Sequence, residues 1–304
     1  MQHLLTLQEL DKESLYAIIL KGIEIKTNPK AYYNHCERKG LLMLFQKSST
    51  RTALSFQSGV HQMGGYAVNM DWDSSNFRIS PIQYEARYVS RNCDVIMARL
   101  KKHEDLLELA AYSQVPVING CCEKYHPCQA LADLMTMYEV KGSFEGVTLA
   151  YVGIHNNVAN SLVAGCMTLG IKLLLVTPIV NEASWDVELM QRAYQSGYVE
   201  EIEVLSTAMR KADFIYTDTW VDMEFFADDD YQEEKHRRID IMMPFQINKR
   251  SLGKYAPYIM HDMPIHPGFE IAEDVIESEH STIYQQAENR MHVQKSLLLH
   301  LLNV

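Results

Sequence analysis

Short apolar runs alternate with longer amphipathic segments along most of the chain. The short runs are rich in leucine and β-branched residues and too short for helices, so they predict buried strands. Segments of ten or more residues with helical periodicity lie between them. This alternation is typical of βαβ units, and it predicts an α/β fold with parallel sheets. The predicted strands are residues 41–45, 95–98, 115–118, 147–152, 172–176, 214–217 and 258–260.

The predicted strands fall into two groups. A weakly apolar segment at residues 141–145 separates them, and it contains Gly142 and is followed by Gly146. Glycines in such a segment favour a loop, and a chain of 304 residues is long enough for two domains. We therefore expect two parallel-sheet α/β domains, residues 1–140 and residues 141–281.

Three other segments give more limited predictions. The first forty residues predict only an amphipathic helix, and residues 281–302 predict a helix with one buried apolar stripe. The charged residues 228–230 and 233–238 predict a solvated loop. A mobile lid over a substrate is the less favoured alternative for that segment.

Composition and charge exclude several classes of function. The formal net charge of −11 argues against a nucleic-acid or anionic-membrane surface, because both partners would repel the protein at long range. The six cysteines form no C-x-x-C pair, which argues against a zinc site and a disulfide framework and favours reduced thiols. No apolar stretch is long enough for a membrane span. We therefore expect a cytoplasmic protein with no membrane association.

A local anion site is predicted just after the first strand. Residues 46–52 (QKSSTRT) follow that strand, and a helical pattern occupies residues 53–63. Unpaired N–H groups at a helix N-terminus carry partial positive charge, and Arg51 offers paired donors, so this turn can hold a phosphate dianion. Simple N-capping by serine or threonine is the alternative.

Two motifs resemble those of one enzyme family. Residues 45–52 (FQKSSTRT) resemble the carbamoyl-phosphate motif of the aspartate and ornithine transcarbamylases, and residues 126–134 (HPCQALADL) resemble a second motif of that family. Arg99 ends a predicted strand where the family places an arginine. The resemblance extends from about residue 40 to the C-terminus. It implies that the first domain binds carbamoyl phosphate, the second binds the amine, and a final helix at residues 282–304 packs back onto the first.

The resemblance also implies roles for the donor-side residues. Attack on the carbonyl carbon of carbamoyl phosphate places negative charge on its oxygen, which preorganised donors stabilise. Arg99, His126 and Thr52 are the catalytic candidates because they would face that oxygen, while Gln129 would face the carbamoyl nitrogen. The residues implied to bind carbamoyl phosphate are Ser49, Thr50, Arg51, Thr52, Arg99, His126 and Gln129.

The second half resembles the ornithine branch of the family. In residues 153–162 (GIHNNVANSL), Asn157 matches an asparagine that contacts the α-carboxylate, and either Asn156 or Asn157 could also cap a helix. Asp218 matches an aspartate that holds the α-ammonium, and Arg290 matches an arginine of the last helix that reaches the site. The candidate acceptor-binding residues are Asn157, Asp218, Asp222, Met223, Asp262, Met263 and Arg290.

The acceptor side departs from the family pattern at three positions. Asp222 and Glu224 replace a serine and a glycine, and Asp262 replaces the cysteine of the family's H-C-L-P segment. Each change adds formal negative charge where an amine would enter. The role of the family cysteine therefore cannot be transferred to Asp262.

The sequence thus predicts transfer of a carbamoyl group from carbamoyl phosphate to ornithine or a related diamino acid, without a metal or an organic cofactor. A diamine such as putrescine, a modified amino acid, and a non-catalytic carbamoyl-phosphate-binding relative are the alternatives. The resemblance implies a homotrimer with sites between subunits. Arg78, in a loop that departs from the family, could reach a neighbouring subunit's site or could be an ordinary exposed arginine.

Overall fold

The computed structural model describes residues 2–221 and 229–304 of the chain. A first set of elements forms a four-stranded sheet in the order β2-β1-β3-β4, with every pairing parallel. The elements are α1 (Lys12–Thr27), β1 (Gly40–Phe45), α2 (Thr50–Gln62), β2 (Tyr66–Asp71), α3 (Ile82–Val89), β3 (Val95–Arg99), α4 (His103–Tyr112), β4 (Val117–Cys121) and α5 (Pro127–Lys141).

A second set forms a five-stranded parallel sheet in the order β7-β6-β5-β8-β9. Its elements are β5 (Thr148–His155), α6 (Asn157–Leu169), β6 (Lys172–Val180), α7 (Val187–Ser196), β7 (Val199–Glu201), α8 (Leu205–Lys211), β8 (Phe214–Thr217), α9 (Gln232–Met242), α10 (Lys249–Leu252), β9 (Tyr258–His261), α11 (Glu273–Ile276) and α12 (Ile283–Leu302). Short 3₁₀ helices occupy Leu7–Glu9, Pro29–Tyr32, Asn76–Arg78, Asp229–Tyr231 and Met243–Phe245.

The two parallel sheets confirm the predicted α/β fold class. Helix α5 ends at Gly142, whose φ of 74° is the left-handed conformation that glycine adopts without a steric penalty. The change from one sheet to the other therefore occurs in the predicted region, and the domain limits at residues 140 and 281 stay predictions. No described helix is both long enough and apolar enough to cross a membrane.

Both strands that the sequence pattern missed are edge strands. Strand β2 is mostly exposed and β7 has three residues, so neither shows the apolar run of a buried strand. The predicted strand at residues 115–118 is shifted, because the observed strand β4 covers Val117–Cys121 and includes the small residue Gly120. A Cβ added at Gly120 would collide with the sulfur of Met97, so a residue without a side chain fits this position of the strand.

One prediction about a helix and one about a loop were wrong. Residues 292–299 of α12 are buried on every side instead of along one stripe, because α12 lies among α1, α2 and α5. Residues 233–238 belong to helix α9 and not to a loop. Ion pairs between Glu234 and the arginines three and four residues later, with N–O distances of 2.5 and 2.9 Å, stabilise that helix locally.

Candidate active site

The carboxyl ends of strands from both sheets face one cavity of about 360 Å³. This location follows from the fold, because in parallel α/β sheets the loops after the strands form the ligand crevice. Strands β1, β3 and β4 contribute from the first sheet, and β5, β8 and β9 contribute from the second. The cavity is lined by Gln46, Lys47, Ser48, Ser49, Arg51, Thr52, Arg99, Lys101, Cys121, His126, Asn156, Asn157, Val158, Asp218, Thr219, Asp262, Met263, Pro264 and Arg290.

The turn after β1 presents the N-terminus of α2 to the cavity. Ser49 is the N-cap, and its hydroxyl oxygen accepts a hydrogen bond of 3.2 Å from the backbone N–H of Thr52. N-capping therefore occurs here, and it leaves the remaining first-turn N–H groups directed along the helix axis. Ser49, Arg51 and Thr52 line the cavity, whereas Thr50 is exposed and does not. The arrangement has the helix dipole and the cation that a phosphate dianion requires.

Arg51, Arg99 and His126 converge on this cavity from three different elements. Burial, followed by the charges of Arg290, Arg99 and Arg51, holds the pKa of His126 well below its ordinary value. The imidazole is therefore neutral at physiological pH and can donate one hydrogen bond without adding charge. Arg99 Nε and His126 Nδ1 are buried and have no hydrogen-bond partner among the described residues, so both atoms could hydrogen-bond a ligand.

A series of hydrogen bonds connects Arg290 to Thr52, Gln129 and Asp133. Arg290 is 2% exposed; its Nη2 lies 3.1 Å from Thr52 Oγ1 and its Nη1 lies 2.5 Å from Gln129 Oε1. The amide nitrogen of Gln129 donates to Asp133 at 2.8 Å. Both polar atoms of the Gln129 side chain thus have protein partners, and Gln129 does not line the cavity. Its predicted contact with the carbamoyl nitrogen stays a prediction.

Asp133 was not predicted as a site residue, although it accepts hydrogen bonds from Gln129 and Gln286. Burial raises the pKa of its carboxyl group to about 7, against the opposing effect of hydrogen bonds from Gln129 and Gln286. The Gln286 amide donates to it at 2.7 Å, so Asp133 links α5 to α12. Asp133 lies within the motif at residues 126–134, but its partner Gln286 lies in α12, 153 residues away in the sequence. Lys47 and Lys101 also line the cavity and were not predicted.

Two adjacent asparagines at the start of α6 line the cavity, and their side-chain amides have different hydrogen-bond partners. Asn156 caps α6, and its amide donates to Asp218 at 2.6 Å. Asn157 follows it, and its amide donates to the backbone oxygen of Cys122 at 2.6 Å. Of the two capping candidates, Asn156 is therefore the cap. Asn157 lines the cavity, and its role at an α-carboxylate stays a prediction.

The remaining acceptor candidates divide into two groups. Asp218, Asp262, Met263 and Arg290 line the cavity, and the guanidinium of Arg290 contacts donor-side residues. The predictions for Asp222, Met223 and Glu224 lie outside the described residues. Arg78 is exposed at the end of a 3₁₀ helix and does not line the cavity of its own chain.

One cluster in the described part of the chain has the spacing of a metal site. Asp218, His261 and Asp262 each offer an atom, all within 4.8 Å of one another. However, His261 Nδ1 accepts a hydrogen bond of 2.8 Å from the Met263 N–H, and His261 Nε2 lies 3.0 Å from Glu270 Oε1. The imidazole thus has protein partners at both nitrogens, and this arrangement gives no reason to assign a metal.

Comparisons with known proteins agree with this architecture. The family model "Aspartate/ornithine carbamoyltransferase, carbamoyl-P binding domain" matches residues 2–139, and "Aspartate/ornithine carbamoyltransferase, Asp/Orn binding domain" matches residues 145–301. The ornithine carbamoyltransferase of Methanocaldococcus jannaschii is 40% identical, with 97% of each chain covered. That of Archaeoglobus fulgidus is 37% identical, with 99% of this chain and 98% of the relative covered.

Solved structures give the same result. The ornithine carbamoyltransferase from Pyrococcus furiosus superposes with a TM-score of 0.90 at 38% identity, covering 99% of this chain and 97% of its own. The anabolic enzyme from Campylobacter jejuni superposes with a TM-score of 0.89 at 30% identity, covering 100% and 99%. The chain therefore belongs to the aspartate/ornithine carbamoyltransferase family.

Proposed function

We propose that this protein transfers the carbamoyl group of carbamoyl phosphate to the amine of ornithine or a related diamino acid and releases phosphate. The observation that carries the proposal is a single cavity with a basic side and an acidic side. Arg51, Arg99 and Arg290 provide positive charge on one side, and Asp218 and Asp262 provide carboxyl groups on the other. A dianionic donor and a cationic acceptor would bind side by side in such a cavity.

The donor side supports carbonyl activation. Phosphate would bind at the first turn of α2, with Arg51 donating paired hydrogen bonds. The carbonyl oxygen would then face Arg99, His126 and Thr52, and it gains negative charge as the amine attacks. The neutral state of His126 suits this role, because a buried neutral donor stabilises an oxyanion without competing for the phosphate. Each such donor contributes about 3 kcal/mol to the transition state.

The acceptor side supports binding of an amine. Asp218 is held by the Asn156 amide and by the Thr219 N–H, each at 2.6 Å, so its carboxyl group has a fixed orientation. A carboxyl group fixed beside the donor is suited to hold an ammonium group of the substrate. The reaction needs no covalent intermediate, since orientation and electrostatic stabilisation supply its catalysis.

A panel assay tests the proposed function. Carbamoyl phosphate would be supplied with ornithine, shorter diamino acids, putrescine and aspartate, and the ureido product and phosphate would be measured. Transfer to a diamino acid is expected. Transfer to aspartate alone would refute the assignment. Tight binding of phosphonoacetamide, a stable analogue of the donor, without product from any acceptor would instead support the non-catalytic alternative.

A diamine is the second candidate acceptor, and Asp262 is the observation that favours it. This carboxyl group lines the cavity where the family has a neutral thiol. Extra negative charge favours an acceptor with more positive charge, and a diamine lacks the α-carboxylate that would be repelled. A kcat/KM for putrescine above that for ornithine in the panel assay would select this candidate.

The rate of transfer is expected to increase with pH from the acidic side. An ammonium group has no lone pair, so the nucleophile must lose a proton before it attacks. We expect kcat/KM for the acceptor to rise with slope near one on a logarithmic scale and then level off. Measurement of initial rates at saturating carbamoyl phosphate between pH 5.5 and 10 would test this. A profile that is flat throughout that range would contradict deprotonation of the amine.

A homotrimer, a cytoplasmic location and a part in arginine metabolism belong to the same proposal. Several large apolar side chains of the first domain are exposed, at 48–81%, and β2 is at the edge of its sheet; exposed apolar residues and sheet edges are suited to a subunit contact. The residues concerned are Leu54, Tyr66, Val68 and Ile79. The absence of disulfides among all six cysteines supports a reducing compartment.

Arg78 provides a test of shared active sites. If Arg78 reaches a neighbouring subunit, Arg78→Ala should lower activity about a hundredfold. Mixing it with an Arg51→Ala variant should restore activity at sites that combine two intact halves. A sedimentation measurement would establish the trimer first. Unchanged activity of Arg78→Ala would show that this arginine is an ordinary surface residue.

A further inference from the structure

The segment that carries His126 is held by elements of the second sheet. Residues 122–126 connect β4 to α5, so in chain order they belong to the first sheet. Most of their main-chain polar groups nevertheless pair with side chains of α6 and of the loop after β6. We call residues 122–126 the histidine segment, because they end at the catalytic candidate His126. The oxyanion side of the cavity therefore depends on both sheets.

Three successive carbonyl groups of the histidine segment accept hydrogen bonds from the second sheet's elements. The donors and their acceptors are the Asn157 amide and Cys122 O (2.6 Å), the Ser184 hydroxyl and Glu123 O (2.6 Å), and the Asn160 amide and Lys124 O (2.9 Å). The Asn160 amide also donates to the backbone oxygen of Ser184, at 2.5 Å, which joins the two groups of donors. Buried backbone groups that are paired in this way cannot shift independently of α6.

Ser161 fixes the backbone of His126 itself. Its Oγ accepts a hydrogen bond of 2.8 Å from the His126 N–H and donates one of 2.8 Å to the backbone oxygen of Asn157. The hydroxyl is thereby oriented, since its one proton is directed at Asn157 and a lone pair faces His126. Ser161 is 1% exposed and does not line the cavity. It can therefore affect the reaction only through the residues that it contacts.

The imidazole of His126 depends on this backbone support. Its Nδ1 has no hydrogen-bond partner in the described ranges 2–221 and 229–304, and the residue is the N-cap of α5 without a side-chain capping bond. The backbone oxygen of His126 accepts from the N–H groups of Gln129 and Ala130, at 3.1 and 3.2 Å. Helix α5 thus holds the carbonyl group of His126, and α6 holds its N–H. A displacement of about 1 Å at such a residue can lower a rate about a hundredfold.

Contacts with the first sheet's elements do not replace the bonds to α6. The Asn119 amide reaches the backbone oxygen of Tyr125 only at 3.5 Å. The His103 N–H donates at 2.9 Å to the Glu123 side chain and not to its main chain. Ahead of α5, the main chain of the histidine segment is therefore held mainly by the second sheet's elements.

We propose that Ser161 is a positioning residue, which places the His126 imidazole against the carbonyl oxygen of carbamoyl phosphate from the second half of the chain. The inference rests on the proposed function and extends it to a residue outside the cavity. Helix α6 also presents Asn157 to the cavity. The same helix thus sets the geometry of the oxyanion donor and contributes to the acceptor side.

Replacement of Ser161 by alanine tests the proposal, because it removes the oxygen that accepts from the His126 N–H. We expect kcat to fall about tenfold or more, since a displaced imidazole stabilises the oxyanion less well. The KM for carbamoyl phosphate and the affinity for phosphonoacetamide should stay within about twofold, because the contact with the imidazole strengthens only in the transition state.

Ser296→Ala is the matched control. Ser296 is 2% exposed, and its hydroxyl donates to the backbone oxygen of Ile18 at 2.7 Å, so this change also removes a buried hydrogen bond made by a helix serine. Ser296 does not line the cavity. We expect both variants to lower the melting temperature, whereas only Ser161→Ala should lower kcat.

A double-mutant cycle with His126 separates positioning from a general effect on structure. The imidazole is absent in His126→Ala, so adding Ser161→Ala to that variant should change kcat by less than about twofold. A serine that only stabilises the fold would lower kcat by the same factor with and without the imidazole. That result would overturn the inference.

Ser184→Ala tests the support of the histidine segment at a second point, since the Ser184 hydroxyl donates to Glu123 O. We expect kcat to fall about threefold or more with unchanged affinity for phosphonoacetamide, and again no further loss when His126 is alanine. Should Ser161→Ala fail to fold, Ser184→Ala and its cycle with His126→Ala decide.

The outcomes distinguish failure of this inference from failure of the proposed function. If the unmodified protein transfers carbamoyl groups but Ser161→Ala keeps its kcat, as Ser296→Ala should, only this inference is refuted. If the unmodified protein binds phosphonoacetamide but carbamoylates no amine, the proposed function is refuted and this inference with it.

Discussion

Replacement of Arg51 by alanine is expected to lower kcat/KM for carbamoyl phosphate by about a thousandfold or more. The side chain lies at the first turn of α2 and lines the cavity together with Ser49 and Thr52. A guanidinium donates two parallel, charge-assisted hydrogen bonds to a phosphate dianion, and each hydrogen bond to a charged group is worth about 1.5–3 kcal/mol. The loss should appear in donor affinity and in kcat, because the phosphate gains charge as it leaves.

Two further variants show whether the loss of activity comes from the paired hydrogen bonds of Arg51. Arg51→Lys keeps the positive charge but not the paired geometry, so it should recover only part of the activity. Arg250→Ala removes an exposed arginine of the second domain and should have no effect. Titration with phosphonoacetamide would measure donor binding without turnover. Unchanged affinity of Arg51→Ala for that analogue would show that the phosphate binds elsewhere.

Replacement of His126 by alanine is expected to lower kcat by about 10²–10³-fold, which is the usual cost of losing one oxyanion donor. The KM for carbamoyl phosphate should change by less than about threefold, because the contact strengthens only when the carbonyl oxygen gains charge. Since burial and the nearby arginines hold the pKa of His126 well below its ordinary value, the imidazole is neutral at physiological pH. This histidine should therefore add no inflection to the pH profile near neutrality.

Steady-state kinetics with melting temperatures as a control would test the prediction. His126→Gln keeps a neutral donor and should recover part of the lost kcat. His61→Ala removes an exposed histidine of the same domain and provides a matched control. An equal loss of activity in His126→Ala and His126→Gln at normal stability would argue against a donor role. A large rise in KM with unchanged kcat would instead place His126 in ground-state binding.

The donor side of the site could be predicted from sequence because its parts are local. The strand at residues 41–45, the hydroxyl-rich turn and the following helix are contiguous, so one segment specifies both the helix N-terminus and the side chains on it. The same holds for His126, which immediately precedes α5. Local sequence determines such units because the backbone groups involved are within a few residues of one another.

The hydrogen bonds between residues far apart in the sequence could not be predicted from local sequence patterns. Arg290 approaches Thr52 and Gln129 from more than 150 residues away, and the Gln286 amide reaches Asp133 from the same helix. Both contacts depend on the packing of α12 against α2 and α5. That packing also buries residues 292–299 on all sides, which a stripe of apolar positions did not predict. Periodicity reports one face of a helix, whereas burial depends on how many neighbours surround it.

The sequence by itself determined the α/β fold class, most of the strands, the hydroxyl-rich turn that begins α2 and the presence of Asp262 where the family pattern has a cysteine. Each of these depends on adjacent residues or on a short repeat of apolar positions. It can therefore be predicted without knowledge of the tertiary contacts. Only the tertiary structure decided that β8 and β9 are neighbours in register, and hence that Asp262 lies beside Asp218. The distance between these two side chains depends on the pairing of the strands that precede them, and no local pattern in the 43 residues between the two aspartates specifies that pairing.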